Sequence, residues 1–323
     1  MEAAAMTAWT ERDIPDLRGR TAVVTGANSG LGYQTAVQLA AHGARVVLAC
    51  RDPGRGDEAM RRLRAEVPGA DAALASLDLA DLSSVRSFAA GQLDRDSSVL
   101  DILVNNAGVM AIPRRTTADG FEMQLGTNFL GHFALTGLLL PALMRATSAR
   151  VVTLTSIAAL PGRISFDNLQ GTRHYNPWLA YCQSKLADLL FALRLADRIE
   201  ETGLRMISAA AHPGYAATNL QMVAPQMQGN RIAEAVMRTA NRVIAQPDDR
   251  GALPVLYAAT AGDVVNGGFY GPNGLGGIRG TPRRLRPFPS ARNRRTAERL
   301  WEVAETLTDV RFEALREPAV SRA

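Results

Sequence analysis

Tyr181 and Lys185, in the run Tyr-Cys-Gln-Ser-Lys, are four residues apart and could move a proton between them. An unperturbed phenol titrates near 10, so at neutral pH it needs a neighbour to act as an acid–base group. An ammonium one helical turn away lies on the same helix face and favours the phenolate. In isolation such a pair is an ordinary contact on a solvated helix. The lysine count changes its weight: of 36 basic side chains, 35 are arginine, and the one lysine stands at position 185. A compact ammonium with a tunable pKa is not replaced by a guanidinium that stays protonated, so this placement points to chemistry. Ser156 could donate a hydrogen bond to a substrate oxygen, in the manner of an oxyanion partner. The three groups suit carbonyl reduction or alcohol oxidation, in which a hydride comes from a nicotinamide and a proton goes to the oxygen. Lys185, with the positive nicotinamide of an oxidised cofactor, should lower the phenol pKa toward neutrality.

A second constellation could hold that cofactor. Thr25-Gly26-Ala27-Asn28-Ser29-Gly30-Leu31-Gly32 lies between a first strand and a first helix. Glycines there let the backbone turn sharply and approach a pyrophosphate, which the helix N-terminus favours. Thr25, Gly26, Asn28, Ser29, Gly30, Leu31 and Gly32 are therefore the expected phosphate-binding turn. The second strand ends Ala49-Cys50-Arg51. An acid at such a site binds the ribose hydroxyls of NAD, whereas an arginine accommodates the extra phosphate of NADP. Arg51 favours NADP(H). Asp52 follows at once and could pair with Arg51 or serve NAD(H) itself, so NAD(H) stays open.

These groups need a scaffold that brings strand ends together. Apolar, β-branched runs predict strands at Thr21–Thr25, Arg45–Cys50, Ala72–Leu77, Ile102–Val104, Arg150–Thr155 and Met206–Ala210. Helical spacing predicts helices over Leu31–Ala41, Glu58–Glu66, Ser83–Leu93 and Phe121–Met144. Continuously apolar strands alternating with helices imply a parallel sheet covered on both faces. The expected fold is α/β: one doubly wound (Rossmann) parallel sheet with helices on both faces. Residues 1–17 read as an N-terminal extension and 18–276 as the dinucleotide-binding and catalytic domain. Residues 277–323 read as a basic C-terminal segment whose final helix, Ala297–Leu307, packs on that domain. From Gly267 onward the Gly, Pro and Arg content suggests an irregular surface.

The motifs together resemble the short-chain dehydrogenase/reductases. They are the glycine turn, Asp78-Leu79, Asn105-Asn106-Ala107-Gly108, Ser156 and Tyr181 with Lys185. Thr127-Asn128-Phe-Leu-Gly-His-Phe, His212-Pro213-Gly214-Tyr-Ala-Ala-Thr218 and Gly268-Phe-Tyr-Gly-Pro resemble one branch of that family. It holds retinol dehydrogenases, WW-domain-containing oxidoreductases and light-dependent protochlorophyllide reductases. The resemblance covers roughly residues 18–310. It implies that Lys185 also holds the nicotinamide ribose and that Asn128 keeps a water relaying protons to Lys185. It assigns Asp78 and Leu79 to the adenine edge, the run Asn105, Asn106, Ala107 and Gly108 to the cofactor's ribose side, and Pro213, Gly214 and Thr218 to the nicotinamide. It also implies a homodimer or homotetramer.

Composition bounds the rest. The 323 residues are 47% hydrophobic and 21% charged, an ordinary globular balance. The two cysteines, Cys50 and Cys182, have no metal-ligand spacing, and their scarcity suits the cytoplasm. The N-terminal stretch has no apolar core of a signal peptide. The longest apolar run, Phe133–Met144, is shorter than the roughly twenty residues a membrane span needs. The net charge of +5 lies wholly beyond residue 276. Seven arginines fall between Arg279 and Arg295 without an acid. The segment reads first as solvated or paired with acids on the fold or a neighbouring subunit, and as the alternative it could meet an anionic membrane surface or an anionic carrier of the substrate. Only Phe288 and Trp301 stand near it, so nucleic acid is not expected. Between Ser156 and Tyr181, the aromatics Phe166, Tyr175 and Trp178 either face a substrate or pack inward. The Met-bearing stretch Asn219–Met227 suits a bulky apolar ligand. His132, His174 and His212 fit no triad or metal pattern, and His212 reads as structural. The expected activity is hydride transfer between NADP(H) and an apolar alcohol or carbonyl compound of retinoid, steroid or lipid size. A non-catalytic dinucleotide sensor or interaction protein on the same fold is the alternative.

Overall fold

A computed structural model describes residues 8–93, 98–214 and 248–316. Its centre is one eight-stranded sheet of order β3-β2-β1-β4-β5-β6-β7-β8. The strands are β1 (Thr21–Thr25), β2 (Arg45–Cys50), β3 (Ala72–Ser76), β4 (Ile102–Asn105), β5 (Ala149–Leu154), β6 (Met206–Ala211), β7 (Gly268–Pro272) and β8 (Pro282–Leu285). The first seven run parallel, and β8 joins the edge antiparallel.

Alternation along the strands divides the core in two, because successive side chains point to opposite faces. Val23, Val47, Leu103 and Val151 meet one set of helices: α3 (Leu82–Leu93), α4 (Gly131–Arg145), α5 (Pro177–Thr202) and α7 (Arg294–Thr308). Val24, Val46, Val104 and Val152 meet the other: α1 (Gly30–Ala41), α2 (Pro53–Glu66) and α6 (Asp248–Thr260). The central strands β1, β2, β4, β5 and β6 are buried on both faces, which is why they read as unbroken apolar runs, whereas the edge strands β3 and β8 are partly exposed. A π-helical turn, Leu125–Leu130, leads into α4. This stretch, Leu125–Arg145, is long and apolar enough to cross a membrane, but most of it is buried inside the fold.

The doubly wound expectation is met, with one correction. The segment after Gly267, expected to be irregular, contributes β7, which pairs with β6 and β8, and the edge strand β8. Its Gly and Pro content hides them, yet Pro282 suits an antiparallel edge, where a missing N–H leaves no central ladder bond unmade. The helix α6 also carries an internal proline, Pro254, and has no counterpart in the periodicity reading. Helix α5 starts where its cap is strongest: Asn176 Oδ1 accepts hydrogen bonds from the amides of Trp178 and Leu179, each at 3.0 Å, with Pro177 in the first turn. That start fixes the helical phase of Tyr181 and Lys185.

Candidate active site

The carboxyl ends of β1, β4, β5 and β6 form one edge of the sheet, and the chemistry-bearing residues collect there. In open α/β sheets ligands bind in this crevice. Thr25, the last residue of β1, is a hub. Its Oγ1 accepts from the amides of Asn106 (2.9 Å) and Ala107 (3.0 Å) and lies 2.8 Å from His132 Nε2. Asn106 Nδ2 donates to the Thr25 carbonyl at 2.7 Å, so the ends of β1 and β4 are fastened together beside the glycine turn. Gly26 and Gly30 have φ of 64° and 56°, a region that favours glycine. A Cβ on Gly32 would come within 2.5 Å of the Gly26 carbonyl oxygen. Ser29 makes no side-chain cap bond to α1, whereas Asp52 and Asn293 cap α2 and α7. The turn thus fits a dinucleotide, with its amides uncapped and no side chain in the way.

His132 extends the network toward the proton side. Its Nδ1 donates to the Asn128 carbonyl at 2.7 Å. Burial pushes its pKa down to about 3, with the charge of Lys185 acting the same way, so the ring is neutral and Nε2 accepts the Thr25 hydroxyl. Asn128, in the π turn, accepts the Val109 amide at 2.8 Å and donates to the Val109 carbonyl at 3.0 Å and Ser184 Oγ at 2.8 Å. A Cβ on Gly108 would sit 3.1 Å from Asn128 Oδ1 and 3.8 Å from Lys185 Nζ. The structure therefore brings Gly108, Asn128 and Lys185 together.

Tyr181 and Lys185 are both buried on α5. Lys185 Nζ donates to the Leu154 carbonyl at 3.0 Å and to Asp188 Oδ2 at 2.8 Å. Ser156 caps a short 3-10 turn, accepting the Ala158 amide, and acts on Tyr181 as a hydrogen-bonding partner. Burial raises the Tyr181 pKa above the ordinary phenol value, against the lowering effects of Lys185 and Ser156, and Asp188 adds to the rise. The expectation that Lys185 draws the phenol toward neutrality is thus not met by the protein groups alone: burial and a carboxylate absent from the sequence reading oppose it.

The adenine and ribose residues are placed more simply. Arg51 is exposed and makes no hydrogen bond or ion pair among the described residues. Asp52 caps α2 through the Arg55 amide at 3.0 Å, so it does not pair with Arg51. Asp78 Oδ1 accepts the Ala80 amide at 2.9 Å. Leu79 lies in the core with its main chain against Gly131. The Asn105 side chain turns to Thr136 Oγ1 at 3.0 Å, and it is Asn106 that holds the glycine turn. Gly214 has a φ of 71°, and its amide donates to His212 Nδ1 at 3.2 Å. His212 thus fixes the Pro213–Gly214 bend, and burial keeps it neutral, with a pKa pushed down to about 4. Thr218 and the stretch Asn219–Met227 lie outside the described residues.

On the substrate side, a cavity of about 320 Å³ opens beyond the ends of β5 to β7, floored by Ile157, Phe269, Leu285 and Phe288 and flanked by Arg283 and Arg286. Two of the three expected aromatics serve packing. Phe166 stacks under Arg299, and Tyr175 is held by hydrogen bonds to Ile112, Glu122 and Gln124. Trp178 is 48% exposed with its ring 5.6 Å from that of Tyr181. The sequence pointed to no role for His132 or Asp188, and it placed Asn106 on the cofactor's ribose side rather than beneath the glycine turn. Only Asp188 left a usable signal, an acid one helical turn past the single lysine.

The family pattern described as short chain dehydrogenase matches residues 20–229. Human retinol dehydrogenase 13 is 38% identical over 307 residues, covering 94% of this chain and 89% of that protein. The crystal structure of an uncharacterised protein from Mycobacterium paratuberculosis is 43% identical with a TM-score of 0.78, covering 95% of this chain and 99% of the other. A candidate NAD(P)-dependent gluconate 5-dehydrogenase from Beutenbergia cavernae, solved with NADP at low occupancy, is 27% identical with a TM-score of 0.59 over 79% of this chain and 95% of its own. The chain is an NAD(P)-dependent oxidoreductase of CH–OH and C=O groups, and it belongs to the short-chain dehydrogenase family, on the branch of the retinol dehydrogenases it resembles.

Proposed function

We propose that this protein transfers hydride between NADP(H) and a bulky apolar alcohol or its aldehyde or ketone. The observation that carries the reading is the convergence of Tyr181, Lys185 and Ser156 at the carboxyl end of β5, beside a glycine turn built for a dinucleotide. When bound, the cofactor supplies or accepts the hydride and, when oxidised, adds a positive charge near the phenol.

In reduction, Tyr181 delivers its proton to the carbonyl oxygen while the Ser156 hydroxyl donates a hydrogen bond to that oxygen. Lys185 stabilises the phenolate that remains, and its unused N–H is free for the nicotinamide ribose. The phenolate regains its proton by way of Lys185, and a water ordered by Asn128 replaces the proton that Lys185 passes on. Gly26, Asn28, Ser29, Gly30, Leu31 and Gly32 hold the pyrophosphate. Asp78 and the Leu79 main chain border the adenine, and Ala107, Gly108, Pro213 and Gly214 border the ribose and nicotinamide.

Two features support NADP(H) over NAD(H). Arg51 is exposed and uncommitted, and Asp52, its rival for the ribose, is spent on capping α2. The apolar cavity floor and the exposed Trp178, Leu160 and Leu179 near the site support an apolar substrate. Arg283, Arg284 and Arg286 are exposed beside that cavity, which supports contact with an anionic membrane surface supplying lipophilic substrate. Salt-sensitive co-sedimentation with anionic but not neutral vesicles checks that contact. Assembly as a homodimer or homotetramer belongs to the same proposal and is read by sedimentation velocity. The test of the function is NADPH consumption by the purified protein across aldehydes, ketones and retinoids. The expected result is turnover of large apolar carbonyls; reduction of none of them would overturn the reading.

A further inference from the structure

Helix α5 carries a third buried polar group in line with the pair already described. Asp188 is 1% exposed and lies one turn beyond Lys185, as Tyr181 lies one turn before it. Asp188 Oδ2 accepts the Lys185 ammonium at 2.8 Å, while its Oδ1 is buried without a partner. A half-satisfied buried carboxylate is costly, so its cost needs a counterweight. We propose that Asp188 is a positioning residue: it is the counter-charge that holds Lys185 as an oriented ammonium and sets the pH range in which Lys185 and Tyr181 work. This rests on the role of the Tyr181–Lys185 pair proposed above.

An ammonium has three donors. Asp188 and the Leu154 carbonyl take two and fix its direction, leaving one for a ligand. Burial alone would lower the pKa of Lys185; Asp188, with Tyr181, reverses that and keeps it above the ordinary value. Burial also raises the Asp188 pKa to about 6, so at pH 7 the two form an ion pair. The other ionisable groups facing the pair are neutral at that pH. They are the Tyr181 phenol and Cys182 thiol of α5, both pushed up by burial, and His132 of α4. Asp188 has a second effect, since its charge opposes the pull of Lys185 on the phenol. Removing the charge therefore acts twice in the same direction. Lys185 loses its proton at lower pH, and while still charged it acts unopposed on Tyr181, which then ionises at lower pH.

The single lysine makes this directly visible. With lysine labelled at 13Cε and a lysine-free tag, the full chain gives one side-chain signal. The expected result without cofactor is that wild type holds the ammonium position from about pH 6 to 10. In Asp188→Asn the midpoint falls inside that window, lower by at least about one pH unit, and Asp188→Glu stays near wild type. In turnover assays both limbs of the Asp188→Asn pH profile move to lower pH, whereas a merely structural role would lower the rate at every pH and leave the limbs in place. An unshifted lysine signal in folded Asp188→Asn, or a wild-type midpoint inside the window, overturns the proposal. The wild-type measurement decides alone if the variant does not fold. The titration needs no substrate, so it stands apart from any failure to find turnover.

Discussion

Thr25 Oγ1 and His132 Nε2, 107 positions apart in the chain, lie 2.8 Å from each other, and this contact joins the cofactor turn to the proton-handling helices. Thr25 fastens Asn106 and Ala107, while His132 fastens the carbonyl of Asn128. One hydroxyl thus sets the spacing between the glycine turn and the site around Lys185.

Replacing that hydroxyl at constant shape isolates its effect. Thr25→Val leaves two amides and an imidazole nitrogen without their partner, and should cost about 1–3 kcal/mol of stability. Because the turn loses its anchor, NADPH should also bind roughly tenfold more weakly, equivalent to about 1.4 kcal/mol. Denaturant titration and cofactor fluorescence read the two effects separately. Wild-type values in both would show that the hub is incidental.

Cofactor choice is expected to follow Arg51. Wild type should bind NADPH more tightly than NADH, and Arg51→Ala should remove about 1.5–3 kcal/mol of that preference, the scale of a charged hydrogen bond. Asp52→Ala should leave the preference intact and instead weaken the α2 cap by about 1 kcal/mol. A wild-type preference for NADH would return the ribose to Asp52.

Acid should unfold the protein through its buried histidines. His132 and His212 are held neutral, with pKa values pushed down to about 3 and about 4 by burial, whereas in the unfolded chain a histidine titrates near 6.5. The unfolded state therefore binds more protons below about pH 6.5. The stability these groups give is full above that pH and is lost as pH falls toward 3. Denaturant midpoints at pH 7 and pH 5 should show the loss, and His132→Asn should make it shallower. An equal slope in the variant would remove His132 from the account.

Much of this was legible in the sequence, for physical reasons that also mark its limit. Strands such as Arg45–Cys50 announce themselves because helices cover both faces and demand apolar residues throughout. The strands Gly268–Pro272 and Pro282–Leu285 do not, because they are short and carry Gly and Pro, which the second tolerates as the antiparallel edge. Tyr181 and Lys185 were readable because their partnership is local to one helix and lysine is used once. His132 was not, because what it joins, Thr25 and Asn128, meet only through the folded sheet. Burial is likewise a property of the fold, and so the rise of the Tyr181 pKa could not be read from its neighbours in the chain.

That Tyr181 carries the transferred proton and Lys185 enables it as a compact ammonium is the core of the mechanism. Its most direct measurement is kcat for NADPH-dependent reduction of an apolar aldehyde such as retinal by wild type, Tyr181→Phe and Lys185→Arg. Tyr181→Phe should lose at least about 10²-fold with NADPH affinity retained, and Lys185→Arg should be severely impaired despite the kept charge. Turnover by either variant within about threefold of wild type, far short of the loss expected on removing an acid–base group, would contradict it.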